Sequence, residues 1–188
     1  MDKAARKRLV AFHEAGHAVL GLGAGLHPTE VVIKECSCGE PRCGWTGHTD
    51  YEERGREVPR DHDALQAMLM VCAAGRGAME VEAGTREVDA GDSADQEAAF
   101  GLSVNLVPHL GPDATAEAFA TAPRRAVEAL RDPQVWRLVE KLAAALEVGD
   151  RLDRSDLRRL TDGHPGVEAA KAAVRRAMPA APAMRRAA

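Results

Sequence analysis

Leu9-Val10-Ala11-Phe12-His13-Glu14-Ala15-Gly16-His17-Ala18-Val19-Leu20 decides how this chain is read. The run is apolar and helix-patterned, and it carries the spacing His-Glu-x-x-His. In an α-helix, residues four apart lie one turn up on the same face. Both imidazoles can then reach one metal ion at about 2.0–2.1 Å, the usual zinc–nitrogen distance. Glu14 falls beside the ion, where a carboxylate can take a proton from a zinc-activated water. The plainer alternative is two histidines at helical spacing with no ligand. It leaves polar nitrogens and a carboxylate buried in an apolar helix at considerable cost unless something pairs with them. A metal is the simplest partner. Gly16, mid-helix, costs up to about 1 kcal/mol relative to Ala; it is either simply tolerated or marks close approach of another helix beneath the site.

The 188 residues suit one domain with a proper core. Hydrophobic content of 45% and charged content of 29% are those of an ordinary globular protein. Aromatics are only 3%, so the core must be mostly Ala, Leu and Val, which favours helices. A net charge of −4 gives no reason to expect nucleic acid, and the charges read as solvated helix faces. The longest uninterrupted apolar stretch, Ala18 to Leu26, is far short of the about 20 residues of a membrane span. Lys3, Arg6, Lys7 and Arg8 before Leu9–Phe12 superficially resemble a secretory signal, but His13, Glu14 and His17 interrupt the apolar region. The expectation is cytoplasmic, with no membrane span.

Working outward, Asp2 can cap a helix from about Lys3 to Leu22, ended by Gly21, Gly23 and Gly25 with Pro28 beyond. Glu30 to Glu35 is short and β-branched, a strand. Gly44 to Asp50 reads as its returning partner, making a hairpin whose tip carries cysteines. With His48 nearby, Cys36, Cys38 and Cys43 could hold a small structural zinc; reduced loop cysteines or a disulfide are the alternatives. Residues 51–61 read as a loop. A buried helix follows to Met79, in which Cys72 is an inert small hydrophobe and Met68 and Met70 are packing. Another helix runs from Asp92 or Ser93 to Phe100, then helical segments at about 114–130 and 133–148. Val135, Leu138, Leu142, Ala145 and Leu146 form an apolar stripe. Residues 164–188, rich in Ala, Pro and Arg, are expected to be a disordered tail after a domain at 1–163. A catalytic zinc needs a third protein ligand. Asp92, Asp95, Glu80, Glu82, His48, His62 and His109 are candidates, and spacing does not choose among them.

Four blocks, in order, resemble the peptidase domain of the FtsH family of ATP-dependent zinc proteases. Val10 to Ala18 is close to that family's zinc helix. Gly44-Trp45-Thr46 is similar to the Gly-aromatic-Thr of its edge strand. Ala74-Gly75-Arg76-Gly77-Ala78-Met79-Glu80 through Gly84 resembles its Gly-Gly-Arg-x-Ala-Glu-Glu helix. Gly91-Asp92-Ser93-Ala94-Asp95 looks like the Gly-Ala-x-Asn-Asp segment that supplies the third zinc ligand. A late Leu-Asp-x-x-x-Leu pattern recurs at Leu152 to Leu157, so the likeness covers about residues 7–160. Met79 stands where the family has Glu, and Ala99 where it has Thr; neither removes a ligand.

The resemblance implies a mainly α (α+β) fold, a helical metallopeptidase domain with a small β-hairpin or sheet next to the zinc-binding helix. It implies one catalytic zinc on His13, His17 and Asp95, with Glu14 as general base. The chain contains no Gly-x-x-x-x-Gly-Lys-Ser/Thr phosphate loop, so it resembles the peptidase module standing alone. The expected activity is ATP-independent hydrolysis of flexible or unfolded polypeptides, with a substrate strand pairing near Gly44–Thr46. A separate unfoldase or adaptor, and an oligomer, are conceivable partners. The other readings are a regulatory protease for one protein and a catalytically silent zinc-bearing interaction module.

Overall fold

Ala11, Ala15, Ala18 and Val19 are fully buried on one helix, and their small size lets several elements close on it at once. That helix is α1 (Lys3–Gly23), capped by Asp2, whose carboxylate accepts from the Ala5 N–H at 2.7 Å. The computed structural model describes residues 2–37, 44–52, 62–87 and 93–178. Among them the order continues β1 (Pro28–Glu35), β2 (Trp45–Tyr51), α2 (His62–Ala83), α3 (Ser93–Leu110), α4 (Pro112–Leu130), α5 (Pro133–Gly149), β3 (Arg151–Asp153), α6 (Arg154–Thr161) and α7 (Pro165–Ala177). The fold is mainly α, with one small antiparallel sheet of order β2-β1-β3.

β1 turns Val31 and Ile33 inward, and Leu152 of β3 pairs opposite Val31. β2 pairs with β1 through Val31↔Thr49 and Ile33↔Gly47, so the inward faces of both strands lie against α1. The stripe expected on α5 is present: Val135, Leu138, Leu142 and Leu146 are fully buried. α1 also packs on α2, α5 and α7. The approach of α2 is close at Gly16, where a Cβ would lie 2.7 Å from the Ala74 carbonyl oxygen. Of the two readings of Gly16, close helix approach is therefore the one observed.

The core is divided. The main cluster joins α1, β1, α2, α4, α5 and α7. A smaller cluster of Leu65, Leu69, Leu102, Leu106, Ala118 and Ala122 seats α3 against α2 and α4. The outer face of α3 leaves Phe100, Val104 and Val107 exposed.

Three expectations need correction. Residues 165–177 are not a disordered tail. They form α7, whose Ala170, Ala173 and Val174 are buried against the main core, so the packed unit extends past residue 163. The helix expected to stop at Phe100 continues to Leu110, through Gly101 and Pro108. Cys36 is disulfide-bonded and so offers no thiolate for a structural zinc. Cys38, Cys43, Asp92, most of the 51–61 loop and residues 179–188 lie outside the described residues.

Candidate metal centre

Helical spacing alone brings the two histidines together. On α1, His13 Nε2 and His17 Nε2 are 3.0 Å apart. α3 delivers the third donor in its first turn, with Asp95 Oδ2 3.0 Å from His13 Nε2 and 3.1 Å from His17 Nε2. The three atoms form a nearly equilateral triangle whose centre lies about 1.8 Å from each corner, just within zinc's bond length of about 2.0–2.1 Å. Two imidazole nitrogens and a carboxylate oxygen are also a zinc-type donor set. The residues present fit the metal.

Neighbouring groups orient the donors. The Val71 carbonyl oxygen lies 2.8 Å from His17 Nδ1, which donates to it and so aims Nε2 at the triangle. Gly75 makes the helix approach compatible with the site. A Cβ there would lie 2.4 Å from His17 Nε2 and 2.5 Å from His13 Nε2. Burial works against an ionised Asp95, but hydrogen bonds from His13 and His17 outweigh it and hold the carboxyl well below its usual range. Burial likewise opposes a charged His17, and the hydrogen bond and charge of Asp95 outweigh it in turn. Asp95 therefore presents an anionic oxygen, as a ligand must.

Glu14 points to the same cavity, of about 750 Å³, which Leu9, Val10, Trp45, Met68 and Cys72 also line. Its side chain is buried, 4% exposed, and β2 closes over it: the Thr49 hydroxyl donates to Oε2 at 2.9 Å. Tyr51 OH donates to the His17 carbonyl at 2.8 Å, pinning the strand to the helix. Burial, followed by the charge of Glu14, pushes the Tyr51 phenol well above its ordinary value. Burial, followed by the charge of Asp95, pushes the Cys72 thiol up to about 12. At neutral pH Cys72 is thus a neutral thiol, the inert small residue expected.

Among the described residues, the other candidates for the third donor lie away from the triangle. Glu80 pairs with Arg76, and Glu82 with Arg8. His62 faces Asp63 at the start of α2, and His109 lies in the last turn of α3. His48 sits on the outer face of the sheet beside Glu30 and Asp50, with Arg151 also paired to Glu30. The roles of Thr49, Tyr51, Val71 and Gly75 at the site were not read from the sequence. The period-two alternation of β2 holds the signal for Thr49 and Tyr51, but it is readable only once the face toward α1 is known.

Residues 1–154 match the family described as Peptidase family M41. The chain belongs to peptidase family M41. Among curated proteins, it is similar to the ATP-dependent zinc metalloprotease FtsH 1 of Symbiobacterium thermophilum. The identity there is 32% over 190 aligned positions, covering 87% of this chain and 30% of that protein. It is also similar to the ATP-dependent zinc metalloprotease FtsH of Trieres chinensis, 31% identical over 111 residues, covering 59% of this chain and 17% of that one. The FtsH of Rickettsia felis is 28% identical over 109 residues, covering 56% and 16%. The M41 chain thus spans 16–30% of the length of these relatives. No helix among its described residues is long and apolar enough to cross a membrane.

Proposed function

We propose that this M41 chain is a zinc-dependent endopeptidase acting on flexible or unfolded polypeptides without ATP of its own. The observation that carries this reading is the convergence of His13 Nε2, His17 Nε2 and Asp95 Oδ2 within 3.0–3.1 Å, beside a buried Glu14 in one cavity. His13, His17 and Asp95 would hold the metal. When bound, zinc supplies Lewis acidity, polarising the scissile carbonyl and acidifying water toward neutral pH. Glu14 accepts the proton of the attacking water at its carboxylate and afterwards passes it to the leaving amine. Among the described residues β2 has a strand partner on one side only, β1. Its other edge can take an extended substrate through main-chain hydrogen bonds, which favours unfolded chains and tolerates varied sequence.

The test is cleavage of an unstructured fluorogenic protein, without ATP, by the zinc-loaded wild type beside Glu14→Gln. Cleavage by the wild type, with loss of at least about a hundredfold in the variant at unchanged zinc content, is expected. Equal cleavage by both would refute Glu14 as the base. No cleavage by either, with zinc bound, would turn the reading toward a dedicated substrate or a binding role.

A further inference from the structure

A buried general base needs its carboxylate held in one rotamer, because a free side chain would spend most of its time out of line with the water it serves. On β2, residues 47 and 49 flank Glu14 from the same strand face. Gly47 approaches so closely that a Cβ there would lie 2.6 Å from both Cγ and Oε1 of Glu14. Thr49 Oγ1 lies 2.9 Å from Oε2 and 3.2 Å from the Glu14 backbone oxygen. A hydroxyl has one proton to donate, and the shorter contact, to a charged acceptor, is the stronger.

We propose that Thr49 is a positioning residue for Glu14: its hydroxyl ties down Oε2, fixing the side-chain torsions and leaving Oε1 as the oxygen that receives the proton. The inference rests on the endopeptidase reading above. The Thr49 hydroxyl is bonded to the base and not to a proposed metal ligand, so its effect falls chiefly on the rate of the chemical step. Serine, which keeps the hydroxyl, can do the same work; valine, which keeps the branched shape, cannot.

Two measurements test it. With the zinc-loaded protein, Thr49→Val should lower kcat roughly ten- to a hundredfold, with KM within about twofold and zinc content unchanged. Thr49→Ser should restore most of the rate. In the metal-free protein, thermal melts of Thr49→Val, Glu14→Leu and the double variant form a cycle. Thr49→Val should cost about 3–10 °C when Glu14 is present and clearly less when it is not, where the hydroxyl keeps only the backbone oxygen of residue 14. Additive melts would show that the contact does not exist and would overturn the proposal. Coupled melts with unchanged kcat, or a KM rise in place of a kcat loss, would overturn the positioning role. Wild-type protein without activity would sink the endopeptidase reading, and Thr49 positioning with it; coupled melts would then mark the contact as purely structural.

Discussion

A hydrogen atom in place of a methyl at position 75 leaves room for the two imidazoles of the site. Gly75→Ala would put a Cβ within 2.5 Å of Nε2 of both His13 and His17, so one helix or both imidazoles must move. Zinc affinity should fall by at least about tenfold while His13, His17 and Asp95 are all intact. Asp95→Ala removes a donor outright, and zinc stoichiometry by elemental analysis should drop well below one per chain. An undiminished stoichiometry would place the third ligand elsewhere. At this scale the sequence was readable where chemistry repeats with helix geometry: His13, Glu14 and His17 need only the 3.6-residue period. Asp95 needed the family likeness, because it arrives from a different helix and nothing in local spacing ties residue 95 to residue 17. Thr49 and Gly75 were unreadable because their roles are defined by what packs against them.

At the scale of elements, α7 is started by a titratable cap. His164 Nδ1 accepts the Gly166 N–H at 3.0 Å, with Pro165 at the first helical position. Desolvation, then the charges of Lys141 and Arg137, lowers the His164 pKa. A protonated Nδ1 cannot accept, so the folded state prefers neutral His164. Stability from this cap is complete above the ordinary value of 6.5 and is lost as pH falls through the lowered one. Thermal melts from pH 7.5 to 5 should therefore drop more in wild type than in His164→Asn, which caps without titrating. Parallel curves would show that the cap contributes nothing. The same element shows where composition misleads. Ala, Pro and Arg suggested disorder, yet Ala170, Ala173 and Val174 fall on one face at helical spacing, and alanines suffice for burial against a helix as small-sided as α1. α3 was cut short for a related reason. Gly101 and Pro108 are helix breakers by propensity, but burial of Leu102 and Leu106 carries the helix through them. Three-residue β3 is too short to leave any alternation to read.

Across the whole molecule, the proposed donors come from two differently anchored parts. His13 and His17 stand on α1, which is held by the main core, whereas Asp95 belongs to α3, which is held by the smaller cluster. Chelating the metal should raise amide exchange in the first turns of α3 more than in α1 or α5, and equal changes would show that the metal does not join the two parts. Leu106→Ala should weaken zinc binding severalfold without touching a ligand, because it removes a fully buried side chain from the smaller cluster. Leu142→Ala, an equally buried loss in the main core, should lower the melting point by a comparable amount and leave zinc affinity nearly unchanged well below it. The divided core thus makes metal affinity a gauge of docking. Two proposed ligands are preorganised on one turn, and the third would be available only for the fraction of time that α3 is seated. The apparent dissociation constant is the intrinsic one divided by that fraction. Any molecule that settles or loosens α3, however far from the histidines, would tune how tightly the proposed site keeps its metal.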